Sequence, residues 1–172
     1  MELTKIAFGG GCHWCTEAVF QSLIGVAKVE QGWVASTAIN NTFSEAVIVY
    51  FDKSKIDLKT LIQIHLSTHK STSNHSFRNK YRSAIYYVDV HQQEKSKEII
   101  EELQPNFDAK IITQILEFKN FKPSTDEFQN YYQQNPEKPF CEKYINPKLT
   151  FLLEKFSNQV DQSKVSHLNS TT

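Results

Sequence analysis

The chain has 172 residues, and its 19 Lys and Arg balance its 19 Asp and Glu, so the formal net charge at pH 7 is zero. This length fits one domain with its own core, and the charge balance gives no indication of the broad basic surface that binds nucleic acid or an anionic membrane. The sequence contains no window of about 18 apolar residues, and it begins without the apolar stretch of a signal peptide. We therefore expect a soluble, cytoplasmic monomer with neither a nucleic-acid nor a membrane partner.

The first predicted element is a strand that leads into a glycine-rich turn. Apolar residues 6–8 precede Gly9-Gly10-Gly11, and apolar residues then recur at helical spacing from Cys12 to Gly25. This arrangement places the Cys12 thiol at a helix N-terminus, where unpaired N–H groups and the helix dipole favour a thiolate. Cys15 lies close enough to form a disulfide across one helical turn. The stretch therefore predicts a redox-active thiol near neutral pH.

The rest of the chain alternates between strand and helix patterns. Strands are predicted at 26–34, 45–51, 83–90 and 111–118, and helices at 57–66, 91–103 and 149–156, with a short helix opened by a capping box at Ser124. Residues 67–80 predict a loop beside the site, 135–147 a surface coil with three prolines, and 158–172 a disordered tail. These lengths favour an α+β fold: a two-layer α/β sandwich with a ferredoxin-like mixed sheet and a C-terminal coil, in one domain over residues 1–157.

Three cysteines, Cys12, Cys15 and Cys141, are an odd number, which argues against a structural disulfide framework. A Cys-x-x-Cys pair is typical of a thioredoxin-like redox site, of half a zinc site, or of chance. His65 and His69 would complete a zinc set of two cysteines and two histidines. Their separation from Cys15 does not match compact zinc-finger spacing, so we predict no metal.

A thiolate that attacks an S=O or S–S centre also needs a proton donor for the departing atom. Glu45 begins an apolar strand, where partial burial would favour its protonated form. Tyr81 precedes the next strand and can donate through its hydroxyl. Glutamate and tyrosine are also common as solvent-exposed residues at the start of a strand. Spacing alone therefore does not assign Glu45 or Tyr81 as the proton donor.

Several motifs, in order, resemble those of the A-type peptide methionine sulfoxide reductases. They are Gly9 to Cys15 with Glu17 (the family's GGGCFWC and following glutamate), Gly32-Trp33 (Gly-Tyr), Ser44 to Val47 (Ala-Glu-Ala-Val), Tyr81 to Tyr86 (Tyr-Arg-Ser-Ala-Ile-Tyr) and the C-terminal stretch 135–149. The resemblance runs from residue 5 to about residue 155.

Departures from the family pattern fall at the rim of the expected site. His13 replaces the phenylalanine after the nucleophile, and the loop between Trp33 and Glu45 is too short to supply one of the family's two tyrosines for the substrate oxygen. Ser76 stands in place of a substrate-binding aspartate, and Phe128 in place of a histidine. This chain thus has the family's thiol and acid residues, whereas the residues that recognise the substrate differ.

The resemblance implies that Cys12 attacks the sulfur of methionine S-sulfoxide, peptide-bound or free, and becomes a sulfenic acid while Glu45 protonates the oxygen. It implies that Cys15, or alternatively Cys141, then forms a disulfide with Cys12 that thioredoxin reduces, without a cofactor. The implied substrate-binding residues are His13, Trp14, Tyr81 and Trp33.

Two other functions remain open. One is a thioredoxin-like dithiol–disulfide oxidoreductase, although the Cys-x-x-Cys pair lies too close to the start of the chain for that fold, and no proline stands at an obvious strand start. The other is a homologue that binds sulfoxide or senses redox state without turnover, an alternative motivated by the changed rim.

Overall fold

The computed structural model describes residues 2–169, without the side chain of Asn169. Within that range the strands are β1 (Thr4–Gly9), β2 (Val26–Ala35), β3 (Ser44–Phe51), β4 (Ala84–Tyr87), β5 (Gln114–Glu117) and β6 (Asn120–Pro123). The α-helices are α1 (His13–Gln21), α2 (Leu58–Ser67), α3 (Val90–Leu103), α4 (Tyr131–Gln134), α5 (Asn146–Lys155) and α6 (Ser166–Asn169), and a π-helical turn at Cys141–Ile145 leads into α5. No helix of this described range is both long and apolar enough to span a membrane.

The strands form one mixed sheet in the order β5-β4-β1-β3-β2-β6, which confirms the α+β prediction. The β4–β5 pair is parallel and the other neighbours are antiparallel. Strand β1 lies inside the sheet between β3 and β4, and its last four residues are buried. The glycine turn therefore starts from an interior strand of the sheet.

The two faces of the sheet carry cores of different size. Ile6 and Phe8 of β1 point into the larger cluster, which also contains the buried apolar residues of α1, α2, α3 and α5. Phe8 stacks on Phe20 of α1 with ring centroids 4.8 Å apart. Ala7 points to the smaller cluster on the other face, which contains no residue of these helices. The helices therefore form one layer on the sheet. Helix α1 ends at Gln21, earlier than predicted, and a turn that contains Gly25 (φ +94°) leads into β2.

The C-terminal coil prediction is wrong for residues 141–145. These residues form the π-helical turn that continues into α5, and Cys141 is fully buried. Pro147 does not break the helix because it lies in the first turn of α5, where a missing N–H leaves no intrahelical bond unmade.

The tail prediction also differs from the structure over residues 158–169. Val160 is buried and forms a β-bridge with Leu23, and the backbone N–H of Asp161 donates to the Ser22 carbonyl at 2.8 Å. Val165 is buried as well. This segment is therefore ordered against the end of α1 by two buried valines, although its polar composition favours disorder. Residues 170–172, the remainder of the predicted tail, lie outside the described residues.

The capping-box prediction at Ser124 is wrong because another element uses its side chain. The Ser124 hydroxyl donates to Gln31 Oε1 of β2 at 2.7 Å, and its backbone N–H donates to the Gln31 carbonyl at 2.9 Å. A regular helix follows only at Tyr131–Gln134. Strand β6, which the sequence analysis missed, pairs with β2 just before this point.

His65 of α2 provides a test of stability against pH. The side chain is 2% exposed, its Nε2–H donates to the Gly9 carbonyl at 2.7 Å, and burial lowers its pKa from 6.5 to about 4. Because the folded-state pKa is lowered, this contribution to stability is present above pH 6.5 and is lost as the pH falls towards 4. The full effect is about 3 kcal/mol.

The wild type should lose unfolding free energy between pH 7 and pH 4, and we expect His65→Gln to lose about 3 kcal/mol less. The glutamine retains an N–H donor but does not titrate. Urea unfolding at several pH values measures this loss. The exposed His91→Gln should keep the wild-type pH dependence. An unchanged pH dependence in His65→Gln would contradict the burial argument.

Candidate active site

Cys12 is the N-cap residue of α1, and its carbonyl accepts the backbone N–H of Cys15 and of Thr16 at 3.1 and 3.2 Å. Its thiol is half-buried at the end of the glycine turn. The pKa of this thiol is lowered, first by its interaction with the Cys15 thiol and then by the backbone N–H groups of Trp14 and Cys15, against the opposing effects of burial and of the Glu45 charge. The structure therefore places a thiol poised to ionise where the sequence predicts it.

The other two cysteines are buried thiols. The pKa of Cys15 is raised, first by its S–H interaction with Cys12 and then by burial, so Cys12 is the thiol of the pair that ionises first. Cys141 is fully buried, its S–H points at the Asn135 carbonyl at 3.6 Å, and burial raises its pKa. Cys15 is therefore the thiol that already contacts Cys12, whereas Cys141 belongs to the core of the C-terminal segment.

Two cavities meet at the thiols. One is an open cleft of about 560 Å³, and the other is a smaller and less open cavity of about 40 Å³. Cys12 and Cys15 line both cavities. The aromatic side chains that line the cleft are Phe77, Tyr81, Phe140 and Tyr144. The cleft thus offers an apolar, aromatic surface around a reactive sulfur.

Of the predicted site residues, Cys12, Cys15 and Tyr81 line this cleft. The other predicted site residues, Glu45, His13, Trp14 and Trp33, are not part of its lining.

Glu45 at the start of β3 is buried against the first turn of α1. Its Oε1 accepts the backbone N–H of His13 at 3.2 Å and lies 3.4 Å from His13 Nε2. Its Oε2 lies 3.7 Å from Nζ of the exposed Lys80. The carboxyl is 6% exposed, and its charge acts on Cys12. Glu45, predicted from the sequence as a partly buried acid, thus lies beside the helix that begins after Cys12.

His13 joins Glu45 to β2. Its Nδ1 lies 2.7 Å from the Gly32 carbonyl, and its ring meets the Trp33 ring in a T-shaped contact at 5.1 Å. Trp33 and Glu45 are opposite residues in the β2–β3 pairing. His13 is therefore held between two strands rather than exposed at the mouth of the site.

Trp14 is part of an aromatic stack. Its ring lies 4.1 Å from Tyr131 and 5.7 Å from Phe128 in stacked geometry, and 5.3 Å from Phe140 in an edge contact. Phe140 in turn lines the cleft. Trp14 thus acts on the cleft through Phe140, a residue that the sequence analysis did not single out.

Arg78 holds the loop between α2 and β4 against the glycine turn. Its guanidinium donates to the carbonyls of Gly10 and Tyr81 at 2.9 and 2.8 Å and, within the loop, to those of Ser73 and Lys70 at 2.9 and 2.6 Å. The sequence analysis missed this residue, although a lone arginine in a polar loop is suited to binding several carbonyls.

Lys148 of α5 is a second residue that the sequence analysis missed. It lines both cavities, and its ammonium donates to the Thr68 carbonyl at the end of α2. Burial lowers its pKa, whereas Cys15 and Cys12 act in the opposite direction. A cation from the C-terminal helix therefore faces the thiol pair.

The two histidines of the zinc alternative are used within the protein. His65 Nε2 bonds the Gly9 carbonyl, and His69 Nε2 lies 2.8 Å from Ser83 Oγ. Over residues 2–169, no group of three or more His, Cys, Asp or Glu side chains is placed to hold a metal ion.

Known proteins are similar to this chain over most of its length. The model of the family described as peptide methionine sulfoxide reductase matches residues 4–161. The peptide methionine sulfoxide reductase MsrA of Pasteurella multocida is 37% identical, over 87% of this chain and 94% of the relative.

Solved structures share the fold. Methionine sulfoxide reductase A of Corynebacterium diphtheriae superimposes with a TM-score of 0.68 at 24% identity, covering 78% of this chain and 76% of that one. Mxr1 of Saccharomyces cerevisiae, solved in complex with Trx2, gives a TM-score of 0.61 at 23% identity, covering 76% and 85%. By the family match and by its identity to MsrA, this chain belongs to the peptide methionine sulfoxide reductase family.

Proposed function

We propose that this protein reduces the S-epimer of methionine sulfoxide, peptide-bound or free, to methionine, with Cys12 as nucleophile. The observation that carries the proposal is the Cys12 thiol: it lies at a helix N-terminus, its pKa is lowered, and it opens into an aromatic cleft beside a second thiol. Membership of the family supports the reaction class.

The chemistry balances with the residues present. The Cys12 thiolate attacks the sulfoxide sulfur, Glu45 supplies a proton to the oxygen, and the thioether leaves as Cys12 becomes a sulfenic acid. The Cys15 thiol then attacks the sulfenic sulfur, forming a Cys12–Cys15 disulfide and releasing water. Two thiols are oxidised and one sulfoxide is reduced in each cycle.

A dithiol must then reduce the disulfide, and we propose a thioredoxin. Mxr1, a protein of the same fold, has been solved in complex with Trx2. We also propose that the protein acts as a monomer in the cytoplasm. The thioredoxin-like alternative for this chain itself receives no support, because the chain matches the sulfoxide reductase family over residues 4–161.

To test this proposal, the protein is incubated with the separated S- and R-epimers of N-acetyl-methionine sulfoxide and excess dithiothreitol, and consumption of each epimer is measured. We expect the wild type to consume the S-epimer alone, over many turnovers, and Cys12→Ser to consume neither, because serine is not ionised near neutral pH. Equal use of both epimers would contradict the stereochemical assignment. Binding of one equivalent without turnover would instead favour the non-catalytic homologue.

A further inference from the structure

The imidazole of His13 is fixed in one tautomer by its surroundings. The ring is 6% exposed, and its Nδ1 lies 2.7 Å from the Gly32 carbonyl. A carbonyl oxygen only accepts hydrogen bonds, so Nδ1 carries the hydrogen. When the ring is neutral, its Nε2 is therefore an acceptor.

This acceptor faces another acceptor. Nε2 lies 3.4 Å from Glu45 Oε1, an oxygen held in place by the backbone N–H of His13 at 3.2 Å. A neutral ring beside an ionised carboxylate would bring two lone pairs together in a buried site, which is unfavourable. One proton between Oε1 and Nε2 removes this conflict, whether it lies on the carboxyl or on the ring.

We propose that His13 and Glu45 hold one proton between them near neutral pH, and that His13 thereby keeps Glu45 supplied with the proton it gives to the sulfoxide oxygen. The inference rests on the proposed function for its catalytic consequence. His13 is a positioning residue that acts through Glu45. After each reduction the pair takes its next proton from water.

The other charged groups around the pair are few. Lys80 Nζ lies 3.7 Å from the second oxygen of Glu45, but this lysine is exposed and its charge is screened by solvent. The Cys12 thiolate lies on the α1 side, and Lys122 lies over the Trp33 ring at 5.8 Å on the β6 side. Burial lowers the pKa of His13, while the Glu45 charge acts in the opposite direction. Burial therefore favours the neutral form of the imidazole.

A shared proton changes the pH dependence of the reaction. Two sites that share one proton release it at a higher pH than either site would alone, because both contribute to its binding. Removing His13 should therefore move the alkaline fall of kcat/KM to lower pH. A purely structural role would instead lower kcat/KM at every pH.

The test compares His13→Phe, which carries the aromatic residue expected from the family resemblance, with His13→Gln, which can still donate to Gly32 but cannot hold a proton. We expect both variants to show the alkaline fall of kcat/KM about one pH unit lower than the wild type, which lowers kcat/KM by up to about tenfold at about pH 8 and leaves it closer to the wild type at about pH 6. The exposed His91→Gln should match the wild type at both pH values.

A second measurement does not depend on activity. In protein labelled with ¹⁵N-histidine, the Nε2 resonance of His13 should titrate at the pH of the alkaline fall in kcat/KM, and Glu45→Gln should move this titration to lower pH. A titration that Glu45→Gln leaves unchanged, or a pH-independent loss of kcat/KM in His13→Phe, would overturn the proposal. If the wild type consumes no sulfoxide, the proposed function fails, and the resonance titration still decides whether the pair shares a proton.

Discussion

Cys15→Ser should convert one equivalent of methionine sulfoxide per protein and then stop when thioredoxin is the reductant. The nucleophile and the buried acid remain, so the first reduction proceeds and leaves Cys12 as a sulfenic acid. Without the Cys15 sulfur, no Cys12–Cys15 disulfide forms for thioredoxin to reduce. A rapid-quench experiment on product formation measures the single equivalent, and a sulfenic-acid probe should label Cys12 at its end.

Cys141→Ser is the matched control for this experiment. The Cys141 thiol donates to the Asn135 carbonyl, and a serine hydroxyl can make the same bond. Because Cys141 is fully buried, it reaches Cys12 only if the π-helical turn leaves the core. We therefore expect steady turnover with thioredoxin to survive in Cys141→Ser. The reverse pattern, with turnover lost in Cys141→Ser and kept in Cys15→Ser, would assign the resolving role to Cys141.

Elements with local signals could be predicted from the sequence. The glycine turn before Cys12 and the N-cap Asp57, whose side chain accepts the Thr60 N–H at 2.8 Å, depend on neighbouring residues alone. The continuous apolar run of β3 likewise identifies a buried strand headed by Glu45. These local features singled out Cys12 and Glu45, and the acid role of Glu45 was implied only by the family resemblance.

The missed features depend on partners far along the chain. The Ser124 hydroxyl donates to the Gln31 side chain, and the Arg78 guanidinium donates to the Gly10 carbonyl, 68 residues away. Lys148 reaches the thiol pair from a helix whose position no local pattern specifies. Such contacts are selected by packing, and propensity and spacing do not report on them.

Glu17 illustrates how a motif residue acquires a tertiary role. Its carboxylate accepts hydrogen bonds from the Gln31 side chain and from the backbone N–H groups of Asn130 and Tyr131, at 3.0 to 3.1 Å. Burial raises its pKa, and these bonds act in the opposite direction. Glu17 therefore ties α1 to the segment that carries Tyr131, the ring on which Trp14 stacks. Gln21 of α1 adds a second link to this segment, because its side-chain amide donates to Asn130 Oδ1 at 2.7 Å.

Gly10→Ala should lower kcat/KM by about 100-fold, the cost expected when a catalytic group is displaced by about 1 Å. A Cβ at Gly10 would lie 2.5 Å from Cδ2 of His69. That ring cannot yield easily, because its Nε2 is bonded to Ser83 Oγ and its Nδ1 to the His65 carbonyl. The turn must move instead, and Cys12 moves with it.

Gly11→Ala is the matched control, since a Cβ at Gly11 meets no atom within 4 Å. We expect it to retain near wild-type kcat/KM, with urea unfolding separating any loss of stability from loss of geometry. If the clash with His69 is the cause, His69→Ala should restore part of the activity in the Gly10→Ala background, as a double-mutant cycle would show. Equal damage from both glycine substitutions would mean that the turn needs glycine for backbone freedom, and the contact with His69 would then not be the constraint that places the nucleophile.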